Sequence, residues 1–333
     1  MTLYILDHFP SQLLDISPKE IHTVLDGPTL IHLKGNCEPP LFITTLLHGN
    51  ELTGFYALQS LMNDYVDRAL PRSLSIFIGN VGAAKEDVRH LEKQIDYNRI
   101  WAGGIGEEYE LASSVLSIMK ELGVFVSIDI HNNTGLNPYY ACAHILDKDH
   151  IMLCKLFSKQ MVYFTEPHQV QSRAFSRFCP SIVLECGLAS DPKGIEYVKR
   201  FLDTCLSLDS LENANPIQRD FKIYHSKVVI KIPSGKSVGF ESDTDSVDFR
   251  FVHNLESFNF RETNADTLIG WRNDEHSKLI VINEQGRLVG DDYFHYYRHE
   301  IRLKKSVIPS MFTKNIAVIY QDCLGYLMEE VKL

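Results

Sequence analysis

Two textures of apolar and polar residues follow one another along the chain. In the first two thirds, short unbroken apolar runs at Leu41–Leu47, Leu74–Gly79, Val124–Ile130, Tyr140–Leu146 and Ser181–Glu185 are bounded by turn residues. Runs of this kind predict strands buried on both faces. Helical patterns lie between them, at Leu52–Val66, Glu107–Leu122, Lys148–Gln160 and Gly194–Leu208. The alternation predicts an α/β fold with a mixed, largely parallel sheet and helices on both faces. After Leu208 the texture changes. The stretch Asp209 to Asp220 is polar, and apolar and polar residues then alternate through Phe221–Ile232, Val247–Val252, Thr267–Trp271 and Lys278–Asn283. These predict strands, with turns at Pro233-Ser234-Gly235 and Glu284-Gln285-Gly286. The expected division is an α/β domain over residues 1–212 and a small β-rich domain over 213–333, a candidate cover for a site in the first.

Composition narrows the partners. The 333 residues, 44% hydrophobic and 23% charged, are enough for one large domain and a smaller one. A formal net charge of -10 argues against nucleic acid or an anionic membrane as partner, since both need a basic surface. Met1 to Leu14 lacks the basic start and apolar core of a secretory signal, and no run approaches a membrane span. Seven cysteines without C-x-x-C spacing predict reduced thiols in a cytoplasmic protein.

The chemistry gathers at the ends of the predicted strands. His48-Gly49-Asn50-Glu51 stands where one apolar run ends and a helix begins, and His131 ends another run about eighty residues on. Ligands of open α/β sheets bind beyond the carboxyl ends of the strands. Two imidazoles and one carboxylate are a ligand set for a single catalytic zinc, which keeps one position for water or substrate. Glu51 has a simpler reading as an acid at a helix N-terminus. The pattern H-x-x-E alone means little, because His253-Asn254-Leu255-Glu256 repeats it in the β-rich segment. Asp129, two residues before His131, points to the same side of a strand. It is a candidate to hold the far ring nitrogen of His131, or else a turn cap. Glu185 ends a buried run, where a carboxylate is costly unless used or paired. Its expected use is as general base, with a salt bridge to Arg173 or Arg177 as the alternative.

Four blocks, His48-Gly49-Asn50-Glu51, the segment from Asn80 through Arg89 to Asp96-Tyr97-Asn98-Arg99, Asp129-Ile130-His131 and Glu185-Cys186-Gly187, resemble the motifs of a known family. It is the succinylglutamate desuccinylase and aspartoacylase branch of the zinc carboxypeptidase superfamily. Order and approximate spacing match over Leu41 to Leu188, and the small β domain agrees with the family's architecture. The resemblance implies a carboxypeptidase-like fold with one zinc ion per chain on His48, Glu51 and His131, and Glu185 as the general acid and base. It implies Arg89 as stabiliser of an oxyanion, and Asn98 and Arg99 as the grip on a substrate carboxylate. It also implies an arginine shortly before Glu185 that reads a second carboxylate, either Arg173 or Arg177. Tyr296, in the region Tyr293–Tyr297, is a further candidate for the pocket wall. Eight residues separate Arg89 from Asn98, more than in aspartoacylases.

The expected function is hydrolysis of the amide bond of an N-acyl amino acid or similar small carboxylate-bearing amide. A carboxypeptidase acting on short peptides uses the same metal chemistry and the same grip. A zinc-binding protein without catalysis is a third reading, against which stands Glu185, a residue that metal binding does not need. Whether identical subunits assemble stays open.

Overall fold

The computed structural model describes residues 2–189, 191–216, 220–240 and 247–332. The chain divides into two compact units: Met1–Asn132 with Tyr139–Tyr163 and Pro167–Phe221, and Asn133–Pro138 with Phe164–Glu166 and Lys222–Leu333.

The first unit contains β1 (Tyr4–Leu6), β2 (Thr29–Leu33), β3 (Leu41–Thr45), α1 (Thr53–Asp64), β4 (Leu74–Ile78), α2 (Val81–Glu86) and α3 (Glu107–Leu122). It continues with β5 (Ser127–His131), β6 (Tyr140–Ala143), α4 (Lys148–Phe157), β7 (Gln160–Tyr163), α5 (Gln171–Phe175), β8 (Ser181–Glu185) and α6 (Pro192–Ser207). Its strands run in the order β1-β2-β4-β3-β5-β8-β6-β7. Neighbours are parallel except at β2–β4 and β8–β6. Every residue of β3, β4, β5, β6 and β8 is buried, as unbroken apolar runs require when both faces of a sheet are covered.

Several ends differ from the sequence reading, each for a local reason. The first apolar run stops being strand at Thr45 because buried Leu46 takes φ 55°, a left-handed conformation that disfavours an L side chain by roughly 1–2 kcal/mol. That turn swings the following residues out over the sheet end. The expected helix Lys148–Gln160 ends at Phe157, and Gln160 begins β7. The last helix starts two residues early, at Pro192, where a missing N–H is harmless and Asp191 caps the turn by accepting from the Lys193 N–H at 3.1 Å.

In the second unit β9 (Lys222–Lys231) lies between β13 (Ile280–Asn283) and β17 (Gly325–Val331), and β16 (Ile308–Ser310) pairs with β17. A five-stranded sheet is formed in the order β10 (Val238–Phe240), β11 (Phe249–Phe251), β12 (Leu268–Arg272), β15 (Glu300–Leu303) and β14 (Phe294–Tyr297). Short helices α7 (Gly290–Tyr293) and α8 (Ile316–Gln321) complete it. Ile230, Phe249, Phe251, Ile269, Ile301 and Leu327 form its core. Among the described residues no helix is long and apolar enough to cross a membrane.

Candidate metal centre

The site is built at the carboxyl ends of β3, β5 and β8. After the Leu46 turn, the chain passes His48 and reaches Glu51 just before α1, and the Glu51 N–H donates to His48 O at 3.2 Å. Gly49 is obligatory here: a Cβ would lie 2.1 Å from the backbone of Ala83 in α2. Its N–H donates to Arg89 O at 3.2 Å, tying the ligand loop to the Arg89 loop. β5 ends at His131, whose register partner on parallel β8 is Glu185, so the two side chains leave neighbouring strands on the same face.

Glu51 joins the two imidazoles. Its Oε1 lies 2.7 Å from His48 Nδ1, its Oε2 lies 2.7 Å from His131 Nδ1, and Oε2 also accepts the Asn132 N–H at 3.0 Å. The far nitrogen of each ring faces another carboxylate. His48 Nε2 is 3.0 Å from Asp96 Oδ1, and His131 Nε2 is 2.9 Å from Asp129 Oδ2. Both rings turn Nδ1 to Glu51, and a carboxylate behind Nε2 favours the tautomer in which Nδ1 is the ligand atom once a metal is bound. One ligand atom from each of His48, Glu51 and His131 falls within 4.8 Å of the others. The donor set is nitrogen, nitrogen and oxygen, the rings are buried, and carboxylates back both of them. These residues can hold a divalent metal ion.

The electrostatics agree with a charged, ordered cluster. Burial pushes the Glu51 carboxyl up, but His48 and His131 outweigh it and hold it well below the usual carboxylate range. Asp96 behaves alike: burial raises it, and His48, Arg89 and Arg99 bring it down further. His131 is lowered by burial and raised more strongly by Asp129 and Glu51, ending well above an ordinary imidazole.

Arg89 donates from Nε to Asp96 Oδ2 at 3.1 Å, with Nη2 3.0 Å from the same oxygen, while its Nη1 lies 3.8 Å from Glu51 Oε1. Its guanidinium is therefore held at the edge of the cluster. Asn98 is buried, accepts the Gln171 N–H at 3.2 Å and has its Nδ2 3.3 Å from His131 Nε2. Arg99 is half-buried and donates to Asn98 O at 2.9 Å. Arg173 lies on α5, half-buried, and Arg177 is exposed just beyond it. Tyr296 belongs to β14 in the second unit, where its hydroxyl accepts the Leu279 N–H at 3.1 Å and its ring packs under Arg272. Buried Glu185 closes β8, flanked by the buried thiols of Cys186 and Cys142, both pushed up by burial first and by the Glu185 charge second.

Two residues of the cluster received no role from the sequence. Asp96 orders His48, Arg89 and the Asn98 N–H together, the last at 2.7 Å. Asn132 accepts the Thr53 N–H at 3.1 Å and donates to Thr53 Oγ1 at 2.8 Å and Gly187 O at 2.9 Å, joining the start of α1 to the end of β8. The signal for both was a polar residue beside a ligand or grip motif. Nothing in a linear pattern says which way such a side chain turns.

The chain has the fold of the succinylglutamate desuccinylases and aspartoacylases. The succinylglutamate desuccinylase of Vibrio parahaemolyticus superposes with a TM-score of 0.62 at 12% identity, over 91% of this chain and 86% of that one. The succinylglutamate desuccinylase/aspartoacylase of Rhodobacter sphaeroides gives 0.58 at 14% identity, over 90% and 88%. Murine aminoacylase 3 gives 0.58 at 15% identity, over 89% and 98%. In sequence, no family model and no curated protein matches the chain.

Proposed function

We propose that this chain is a zinc-dependent amidohydrolase that removes the acyl group from an N-acyl amino acid or a similar small amide bearing a free carboxylate. The observation that carries the reading is the buried His48–Glu51–His131 group, each ring backed by a carboxylate, in a fold shared with desuccinylases and an aminoacylase.

His48, Glu51 and His131 would hold the zinc, one ion per chain. When bound, zinc supplies a Lewis acid for the amide carbonyl and lowers the pKa of a water molecule. Glu185 takes the proton of the attacking water and passes it to the leaving nitrogen, so that the amine departs neutral. The guanidinium of Arg89, fixed by Asp96, meets negative charge developing on the carbonyl oxygen. Arg99, with Asn98 beside it, takes the substrate carboxylate, for which a guanidinium fork is better suited than an ammonium. Arg173, half-buried on α5, is the candidate for a second carboxylate rather than exposed Arg177. Seven free cysteines, six of them buried, support a reducing compartment such as the cytoplasm.

The test is Glu185→Gln assayed with N-acyl amino acids and dipeptides side by side after zinc loading. The variant is expected to keep stoichiometric zinc and to lose turnover by about 10²–10⁴-fold, the usual span of general acid–base catalysis. Undiminished hydrolysis in the zinc-replete variant removes Glu185 from its role. Release of amino acids from dipeptides alone makes the protein a peptidase.

A further inference from the structure

Asn132 directly follows the ligand His131 at the end of β5 and is buried. Its side chain is fully engaged with the protein. Oδ1 accepts the Thr53 N–H at 3.1 Å, and Nδ2 donates to Thr53 Oγ1 at 2.8 Å and to Gly187 O at 2.9 Å. A carboxamide has two N–H donors, and both are satisfied here. Neither is left for a substrate, so the contribution of this amide lies in what it holds.

Its two partners occupy matching places in the chain. Buried Thr53 is the first residue of α1, two after Glu51, and Gly187 stands two after Glu185, the last residue of β8. The backbone N–H of Asn132 donates to Glu51 Oε2 at 3.0 Å, fixing the oxygen that faces His131 Nδ1. The ends of β5 and β8 are joined once more by the Cys186 N–H, which donates to His131 O at 3.0 Å. Gly187 takes φ 72°, a left-handed turn natural to glycine, and a Cβ there would lie 2.9 Å from the Tyr139 ring. This turn carries the Gly187 carbonyl to the Asn132 amide. One buried side chain therefore fastens the chain just beyond the ligating carboxylate and just beyond the general base.

We propose that Asn132 is a positioning residue that sets the placement of Glu185 relative to Glu51 without touching the substrate. Catalytic groups must be held to within about 0.5 Å of their productive geometry, and a displacement of about 1 Å costs on the order of 10²-fold in rate. Two directional hydrogen bonds to Thr53 and one to Gly187 impose such a limit. The role assigned to Glu185 rests on the deacylase reading, whereas the hold on Glu51 needs only a metal ion as ligand.

The test is Asn132→Ala in the whole protein, read by zinc affinity in equilibrium dialysis and by kcat and KM at saturating zinc, per bound zinc, with N-acyl amino acids and dipeptides as substrates. Zinc affinity is expected to fall by about 10–100-fold, the usual loss for an outer partner of a metal ligand. kcat should fall at least tenfold, with KM changed less than threefold. A purely structural asparagine would lower the unfolding midpoint and leave zinc affinity and kcat per zinc-loaded molecule at wild-type values. That result overturns the proposal, as does a loss carried by KM instead of kcat. If Asn132→Ala does not fold, the nearly isosteric Thr53→Val removes one acceptor of the same amide. It should lower kcat at least threefold, and Thr53→Ser, which keeps the hydroxyl, should restore most of it; equal kcat in the two overturns the proposal. Wild-type protein that binds zinc and hydrolyses neither substrate class would sink the deacylase reading instead. Zinc affinity then decides: the expected loss in Asn132→Ala upholds the hold on Glu51, and an unchanged value overturns it.

Discussion

The chain contains His-x-x-Glu twice, and the two copies end in opposite environments. His48 and Glu51 are drawn into a buried cluster with His131, Asp96 and Asp129. His253 is exposed at the turn after β11, and Glu256 in the following 3-10 helix accepts the Lys314 N–H at 2.8 Å through Oε1. Spacing within a tetrapeptide lets an imidazole and a carboxylate approach one another. A site requires more: a third donor from a distant strand, and partners that fix the ring orientation. The first copy draws on parallel β3, β5 and β8, which end at one rim, whereas the second lies in the turn and 3-10 helix after β11, where the Glu256 carboxylate accepts from the backbone.

The largest difference between the copies is expected in metal binding. Glu51→Gln should lower zinc affinity by more than about a hundredfold, beyond the loss usual for an outer partner of a metal ligand. Glu256→Gln should leave it unchanged. Equilibrium dialysis with atomic absorption measures both, and equal losses would end the distinction.

A smaller effect tests the carboxylates that back the rings of the first copy. Asp96→Asn should reduce zinc affinity by about 10–100-fold, because the His48 ring loses the charge that orients it. At saturating zinc kcat/KM should still fall, since Arg89 loses its anchor. Wild-type values for affinity and kcat/KM together would show that Asp96 is only a neighbour.

The smallest effect belongs to the second copy. Glu256→Ala removes one acceptor from the Lys314 N–H and should destabilise the protein by about 1 kcal/mol without touching zinc content. Urea denaturation reads the loss, and a change in bound zinc would contradict the separation of the two regions.

Much of this was legible in the linear order. The apolar runs located β3, β4, β5, β6 and β8 because strands buried on both faces have little choice but unbroken apolar composition. Shorter and peripheral strands were not seen. β1 is three residues long and mostly exposed, and β7 follows α4 so closely that the predicted helix ran on into Gln160, its first residue. Ser158, which caps α4 in an extended conformation, is the actual break. In the second unit β10, β14, β15, β16 and β17 were missed, since strands of three to seven residues alternate too briefly for a clear period.

The order of residues specified which groups reach the rim: His48 and Glu51 after β3, Asp129 and His131 two apart on β5, and Glu185 at the end of β8. Local period and strand direction suffice for that, because side chains alternate along a strand and parallel strands end together. How the groups are held depends on contacts between residues far apart in the chain. Asp96 reaches back to His48 across 48 positions, and Asn132 joins Thr53 to Gly187. A hydrogen bond depends on angstrom-scale placement of donor and acceptor, and that placement exists only once the intervening chain has folded.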